Sequence, residues 1–249
     1  MRPLNQETFV CLDCEMTGLD PKEDRIIEVA LATFTLTETL ESFDTLIDPE
    51  APISDTSIAI HHITPEMVQG KPKIQDILPK LIHLIDSHII VGHGIHLDLA
   101  FLAESAKRCG SPFPFDKLPS IDTLRLARLY GESPTNSLQM LRAHFNIEPE
   151  EEHRAKGDVG VSISVFKYLI ANFKTVEQIL ERLKKPILLK KMPLGKYKGR
   201  PFNEIPIEYL RWAAHGDFDQ DLIFSLRSEL QKRGRGDRFE QASNPFSSL

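Results

Sequence analysis

Cysteine is scarce and poorly placed for stapling: Cys11, Cys14 and Cys109 are the only three in 249 residues. An odd count, with two of them three positions apart, argues against a disulfide framework and for a reducing cytoplasm. Long apolar runs are missing as well. No stretch approaches the ~20 residues that a membrane span needs, so no membrane partner is expected. The first seven residues lack the apolar core of a secretory signal. Aromatic residues make up only 8% of the chain and tryptophan occurs once. Against these shortages, 41% hydrophobic and 27% charged residues are ordinary for a globular protein and exclude collagen-like, mucin-like or wholly disordered chains. The length fits one or two domains, and no internal repeat is visible.

Positive charge is in deficit overall, at a net −6, which argues against a nucleic-acid binder until the chain is divided. From residue 183 onward there are 13 Lys and Arg against 8 Asp and Glu, whereas the first 182 residues hold 17 against 28. Between Lys184 and Arg200 lie seven basic residues and no acidic one. Such a run reads either as a solvated linker or as the basic handle of an acidic, metal-dependent phosphodiesterase.

Hydrophobic spacing predicts strands over 8–15, 26–35 and 40–47, then a loop around Pro49 and Pro52. Apolar residues at 74, 77, 78, 81, 82 and 85 have a helical period. A short apolar strand follows at 88–92, then helices over 97–108, 123–130, 137–145 and 158–173. Three strands followed by strands alternating with helices imply the α/β class, a mixed sheet flanked by helices. The remainder is turn-rich over 192–202. A helix opened by Pro206 follows over 207–214, and another is capped by Asp219 and ends near Gly234. This divides the chain into a main domain over 1–182, a basic linker over 183–192, a small α-rich module over 193–233 and a flexible tail over 234–249.

The chemistry-bearing residues stand at element ends. Asp13 and Glu15 are two apart on a predicted strand, so both leave the same face, roughly 7 Å apart. That face also carries Phe9 and Cys11, and burying two like charges there is costly. Either the strand ends at Asp13 and leaves Glu15 solvated, or a divalent cation with its preference for hard oxygen ligands neutralises both. Cys11 and Cys14 point to opposite faces of a strand and cannot share a zinc, which makes them packing residues. Asp98 and Asp158 each fall in the first turn of a helix, where the dipole favours an acid anyway. His153 lies on the loop before Asp158, and Asp122 reads as an N-cap.

In this order the residues resemble the DEDDh 3′–5′ exonucleases, the DnaQ-like family of the epsilon proofreading subunit of bacterial DNA polymerase III. The D-x-E motif is Asp13-Cys14-Glu15, the second acid is Asp98, and H-x4-D runs from His153 to Asp158. Ile60-His61-His62-Ile63-Thr64 and Ile121-Asp122-Thr123-Leu124 support the match, which covers residues 9–173. The resemblance implies a ribonuclease H-like sheet and two Mg²⁺ or Mn²⁺ ions. It makes Asp13 the bridging ligand, with Glu15 and Asp158 on one ion and Asp98 supporting the other. His153 becomes the general base, and Met16, Thr17 and Leu19 hold the terminal nucleotide. The implied products are nucleoside 5′-monophosphates released from DNA 3′ ends in proofreading or repair.

Two departures and three further likenesses qualify this. Gly94 and Leu97 replace the Asn and Phe of the family's N-x-x-F-D pattern. The stretch Glu15-Met16-Thr17-Gly18-Leu19-Asp20 resembles the oligoribonucleases. That keeps an RNA-directed exoribonuclease, oligoribonuclease- or ribonuclease T-like, open beside the DNA reading. A catalytically silent nucleic-acid- or polymerase-binding module is the reading from another class. Residues 193–212 resemble the C-terminal module of exodeoxyribonuclease X-like enzymes. There Lys196, Lys198 and Arg200 interleave with Tyr197 in a way suited to phosphates and a stacked base, or to a small fold built on Tyr197, Tyr209 and Trp212. Residues 241–246 resemble the Gln-led clamp-binding peptides of replication proteins. The expected partners are thus single-stranded DNA 3′ ends, and a DNA polymerase or sliding clamp.

Overall fold

The computed structural model describes residues 3–85, 88–133, 135–148, 155–216 and 218–242, with side chains of the last helix through Gly234. They form two compact units, residues 1–183 and 184–249.

In the first unit, β1 (Phe9–Met16), β2 (Ile26–Phe34) and β3 (Thr39–Leu46) make an antiparallel meander. Two short helices, α1 (Asp55–His61) and α2 (Pro65–Val68), and the longer α3 (Ile74–Ile85) lead to β4 (Ile89–Gly92). There follow α4 (His96–Arg108), β5 (Ser120–Asp122), α5 (Thr123–Tyr130), α6 (Leu138–His144), α7 (Ala155–Leu169) and α8 (Val176–Lys184). The sheet order is β3-β2-β1-β4-β5, with β1, β4 and β5 mutually parallel. This is the mixed, helix-flanked sheet that the pattern predicts.

Strand β2 is buried along its whole length because helices or loops cover both of its faces, whereas edge strand β3 is polar and exposed. Alternation on β1 feeds two separate cores. Phe9 and Cys11 face α7, where the rings of Phe9, Phe34 and Phe166 meet with centroids 5.1 to 5.9 Å apart. Val10, Leu12 and Cys14 face α3 and α4 on the other side. The two cysteines are therefore free and on opposite faces.

Four differences from the periodicity are local. The proline loop contains α1 and α2, too short for a repeating pattern. Their signals are caps: Ser54 accepts from the Ser57 N–H, and Pro65 opens α2. Strand β5 is only three residues long, and α8 lies in a stretch that the pattern left unassigned. Helix α7 starts at Ala155, a turn ahead of the expected Asp158.

The second unit is built on α9 (Ile207–Ala213) and α10 (Gln220–Ala242), preceded by two 3-10 turns, Gly195–Tyr197 and Phe202–Glu204. Met192, Phe202, Ile205, Leu210, Ala213, Leu222 and Leu226 form its core. Part of the expected linker is built into it. The Ile187 N–H donates to Asp221 Oδ1 at 2.9 Å and the Leu189 N–H to Ser225 Oγ at 2.8 Å. Helix α10 passes through Gly234, where a stop was expected. A lone glycine costs only ~1 kcal/mol in a helix, and the adjacent Arg233 ties this turn to the carbonyls of Phe202 and Ile205. Of the clamp-like peptide 241–246, residues 243 onward lie outside the described residues.

Truncating Phe166 to alanine removes the ring that Phe9 and Phe34 share. We expect a loss of about 3–5 kcal/mol in urea-unfolding free energy.

Candidate active site

Asp13 and Glu15 lie on β1 beyond the point where its parallel pairing with β4 stops, at Cys11. They thus occupy the carboxyl end of the parallel strands, where α/β sheets leave room for ligands. Both share the face of Phe9 and Cys11, the side that α7 covers. Contact there is close: the Cys11 thiol donates to the Val159 carbonyl at 3.7 Å. Asp158 precedes Val159 and is delivered over the same face. Asp13, Glu15 and Asp158 each offer a carboxylate oxygen, and these oxygens lie within 4.8 Å of one another.

Asp98 sits in the first turn of α4, buried, and its Oδ1 accepts the Cys14 N–H at 2.9 Å. It is not one of the three clustered carboxylates, although its charge is felt by Asp13. Burial raises the Asp98 pKa to about 7, against the opposing pull of its backbone N–H bonds. Asp13 is pushed well above the usual carboxylate range. Burial is the main cause, followed by the negative charges of Asp98, Asp158, Glu15 and Glu28. A set of hard oxygen donors that resist ionising together is what a divalent cation relieves, so these residues fit Mg²⁺ or Mn²⁺.

His153 lies outside the described residues. Of the three residues expected to hold a terminal nucleotide, Thr17 is committed to its own loop. Its buried hydroxyl donates to Asp24 Oδ1 at 3.1 Å and accepts the Arg25 N–H at 3.0 Å. A Cβ on Gly18 would fall 2.4 Å from the Asp24 carboxylate and would have to displace the side chain that Thr17 and the Asp20 N–H hold. The Thr17 carbonyl accepts from Ser57 Oγ, which ties α1 to this loop. Met16 is half-buried against the second core, and Leu19 is 80% exposed. Lys196, Lys198 and Arg200 are exposed on the second unit.

The Gly94 departure has a backbone explanation. Its φ is +76°, a left-handed conformation open to Gly and Asn alike. Its N–H donates to Asp122 Oδ1 at 2.9 Å, while Asp122 also caps α5 through the Leu124 N–H.

Glu28 is a residue that the motif reading passed over. It lies opposite Glu15 on β2, is 3% exposed, and its Oε2 accepts the Ala155 N–H at the start of α7. One signal was available, since Glu28 is the lone charge in the otherwise apolar Ile26–Phe34.

Clustered carboxylates thus stand at the carboxyl end of a five-stranded mixed sheet of ribonuclease H-like fold. The chain belongs to the exonuclease family, whose sequence model, described as "Exonuclease", matches residues 10–166. A second model, described as "Putative quorum-sensing-regulated virulence factor", matches residues 178–225. DNA polymerase III PolC-type of Clostridium perfringens is 30% identical over 195 residues, 76% of this chain and 13% of that protein. The counterpart from Thermotoga petrophila is 34% identical over 169 residues, 68% of this chain and 12% of its own. This chain therefore spans about an eighth of these curated relatives. Among solved structures, Exonuclease X in complex with 5′ overhanging duplex DNA aligns with a TM-score of 0.56 and 25% identity. The alignment covers 70% of this chain and 98% of that one. Exonuclease I, at 20% identity and a TM-score of 0.61 over 72% of this chain and 43% of that one, shares the fold.

The raised carboxyls fix the sign of a pH effect. Above pH ~4 the unfolded chain has released protons that the native site still binds, so this stability is present at low pH and is lost as pH rises through about 7. Differential scanning fluorimetry in EDTA should give a lower Tm at pH 8 than at pH 5.5, and Mg²⁺ or Mn²⁺ should raise Tm more at pH 8. Glu28→Ala, which leaves the Ala155 N–H without its acceptor, should lower Tm by several degrees. Glu28→Gln, which keeps an acceptor oxygen, should recover part of that loss.

Proposed function

We propose that this chain removes nucleotides from the 3′ ends of DNA in proofreading or repair, releasing nucleoside 5′-monophosphates. The observation that carries this is the convergence of Asp13, Glu15 and Asp158 from β1 and α7, with Asp98 close enough for its charge to act on Asp13. Asp13, Glu15 and Asp158 would hold two Mg²⁺ or Mn²⁺ ions, with Asp98 in support. Bound ions supply positive charge to polarise the phosphodiester and lower the pKa of the attacking water. Asp13, whose carboxylate oxygen lies with those of Glu15 and Asp158, would be the shared ligand. The Cys14 N–H orients Asp98 by fixing one of its oxygens.

His153 precedes Asp158 by five positions and would take the proton from the attacking water as a neutral imidazole. The exposed Leu19 side chain packs against the terminal base, and Met16 and Thr17 shape that subsite through the backbone. Lys196, Lys198 and Arg200 add affinity for phosphates. DNA as the substrate is supported by relatives named as DNA polymerase III and by Exonuclease X in complex with duplex DNA. The same relatives support a polymerase partner, with residues 241–246 as a sliding-clamp contact. Three free thiols fit a reducing cytoplasm. The Glu15–Asp20 stretch favours RNA as the second reading.

One assay separates these. On 5′-labelled oligomers with Mg²⁺ we expect a 3′-shortening ladder on DNA, slower on RNA, abolished by EDTA and by Asp13→Ala. Faster RNA trimming would favour the exoribonuclease, and intact oligomers under all conditions would leave a binding module. His153→Ala should lose about 10²- to 10⁴-fold in turnover while the Mn²⁺-induced rise in Tm persists. Retained turnover would remove His153 from the role of base.

A further inference from the structure

The second unit carries an aromatic ladder with an open end. Tyr209 and Trp212 are three positions apart on α9 and so share a face of the helix. Tyr197 comes from the preceding 3-10 turn. The ring centroids of Tyr197 and Tyr209 are 4.7 Å apart at 73°, and those of Tyr209 and Trp212 are 5.2 Å apart at 48°. Helix α9 meets its core through Leu210 and Ala213, whereas the Trp212 indole is 66% exposed. A large flat side chain left in water beside an otherwise satisfied core is available to a ligand.

Cations frame the ladder. Lys196 Nζ lies 5.6 Å and Arg200 Cζ 5.8 Å from the Tyr197 ring centre. Arg211, between the two ladder residues of α9, is exposed. The turn that presents these groups is locked. Gly195 has φ +72°, and a Cβ on it would fall 2.8 Å from the Tyr209 hydroxyl. Met192 and the turn exchange two backbone bonds of 2.8 Å, the Met192 N–H to the Arg200 carbonyl and the Gly199 N–H to the Met192 carbonyl. Aromatic and cationic groups are thus held in place before any ligand arrives, which cuts the ordering cost of binding.

We propose that the Tyr197–Tyr209–Trp212 ladder is a base-stacking platform for single-stranded DNA. Trp212 takes a base on its open face, and Lys196, Lys198, Arg200 and Arg211 neutralise the adjoining phosphates. This deepens the DNA-exonuclease reading and rests on it for the identity of the strand. Stacking tolerates any sequence because every base has a π-face, which suits an enzyme that consumes its substrate one nucleotide at a time.

Trp212 is the sole tryptophan, so the emission of the full chain reports this site alone. The chain in EDTA, where no turnover is expected, is titrated with oligothymidylate of about fifteen nucleotides and with an abasic oligomer of equal phosphate count. Oligothymidylate should quench the emission. The abasic strand should bind at least roughly fivefold more weakly, without quenching. By anisotropy of a labelled oligomer, Trp212→Ala should weaken binding about tenfold with its salt dependence intact, and Trp212→Phe should recover most of the loss. Lys196→Gln with Lys198→Gln should instead flatten the salt dependence. Equal binding of the abasic strand, or full affinity in Trp212→Ala, would overturn the platform. Hydrolysis of p-nitrophenyl thymidine 5′-phosphate by the unaltered chain with Mn²⁺ tests the nuclease reading separately. Base-dependent quenching without that hydrolysis would sink the nuclease and leave the platform standing.

Discussion

Repulsion among carboxylates at the end of β1 is the constraint around which the first unit is arranged. Asp13 feels Asp98, Asp158, Glu15 and Glu28 at once, in surroundings that already disfavour its charge. The like charges of that group oppose folding, although Asp98 and Glu28 each accept a backbone N–H. The stability must come from elsewhere, and it comes from the two apolar cores that clamp β1 from both faces. Strand β1 is fixed laterally as well, by β2 on one side and β4 on the other. A strand held on four sides can keep an unfavourable cluster in place, as functional sites commonly require.

The supports of the cluster are backbone hydrogen bonds from neighbouring elements. Cys14 holds Asp98, and Glu28 holds the start of α7 and therefore the turn that bears Asp158. Asp122 ties the Gly94 loop, which precedes α4, to the head of α5. Apart from the Asp122 cap on the Leu124 N–H, each bond joins groups far apart in sequence, so the position of an acid depends on packing well beyond its own element. The second unit has a smaller core and, among its described residues, no such concentration of acids. Its distinctive features are an exposed indole and exposed cations on a turn whose Tyr197 packs against that core.

Much of the site could be read along the chain because the chemistry is local at each element end. Asp13 and Glu15 share a strand face by a period of two, and Asp98 and Asp158 stand at helix starts, but it was their order, resembling the DEDDh exonucleases, that singled them out. Cys11 and Cys14 were separable by the same alternation. What escaped was either too short to have a period or visible only across strands. Helices α1 and α2 belong to the first kind, recognisable by Ser54 and Pro65 and by no repeating pattern. Glu28 belongs to the second, because its opposition to Glu15 is a matter of register. Thr17 shows the reverse: a residue matched to a substrate-facing motif spends its hydroxyl on Asp24 and Arg25.

The three opening strands, most of the longer helices and the spacing of the acids could be read from the sequence itself. They rest on side-chain periodicity and backbone sterics that act within a few residues. Only the tertiary structure decided that oxygens from Asp13, Glu15 and Asp158 come within 4.8 Å while Asp98 stands apart on a backbone N–H. The same holds for the aromatic ladder of the second unit. Such distances follow from how helices seat on a sheet or on each other, and that is set by the sum of many apolar contacts that no short stretch of chain contains.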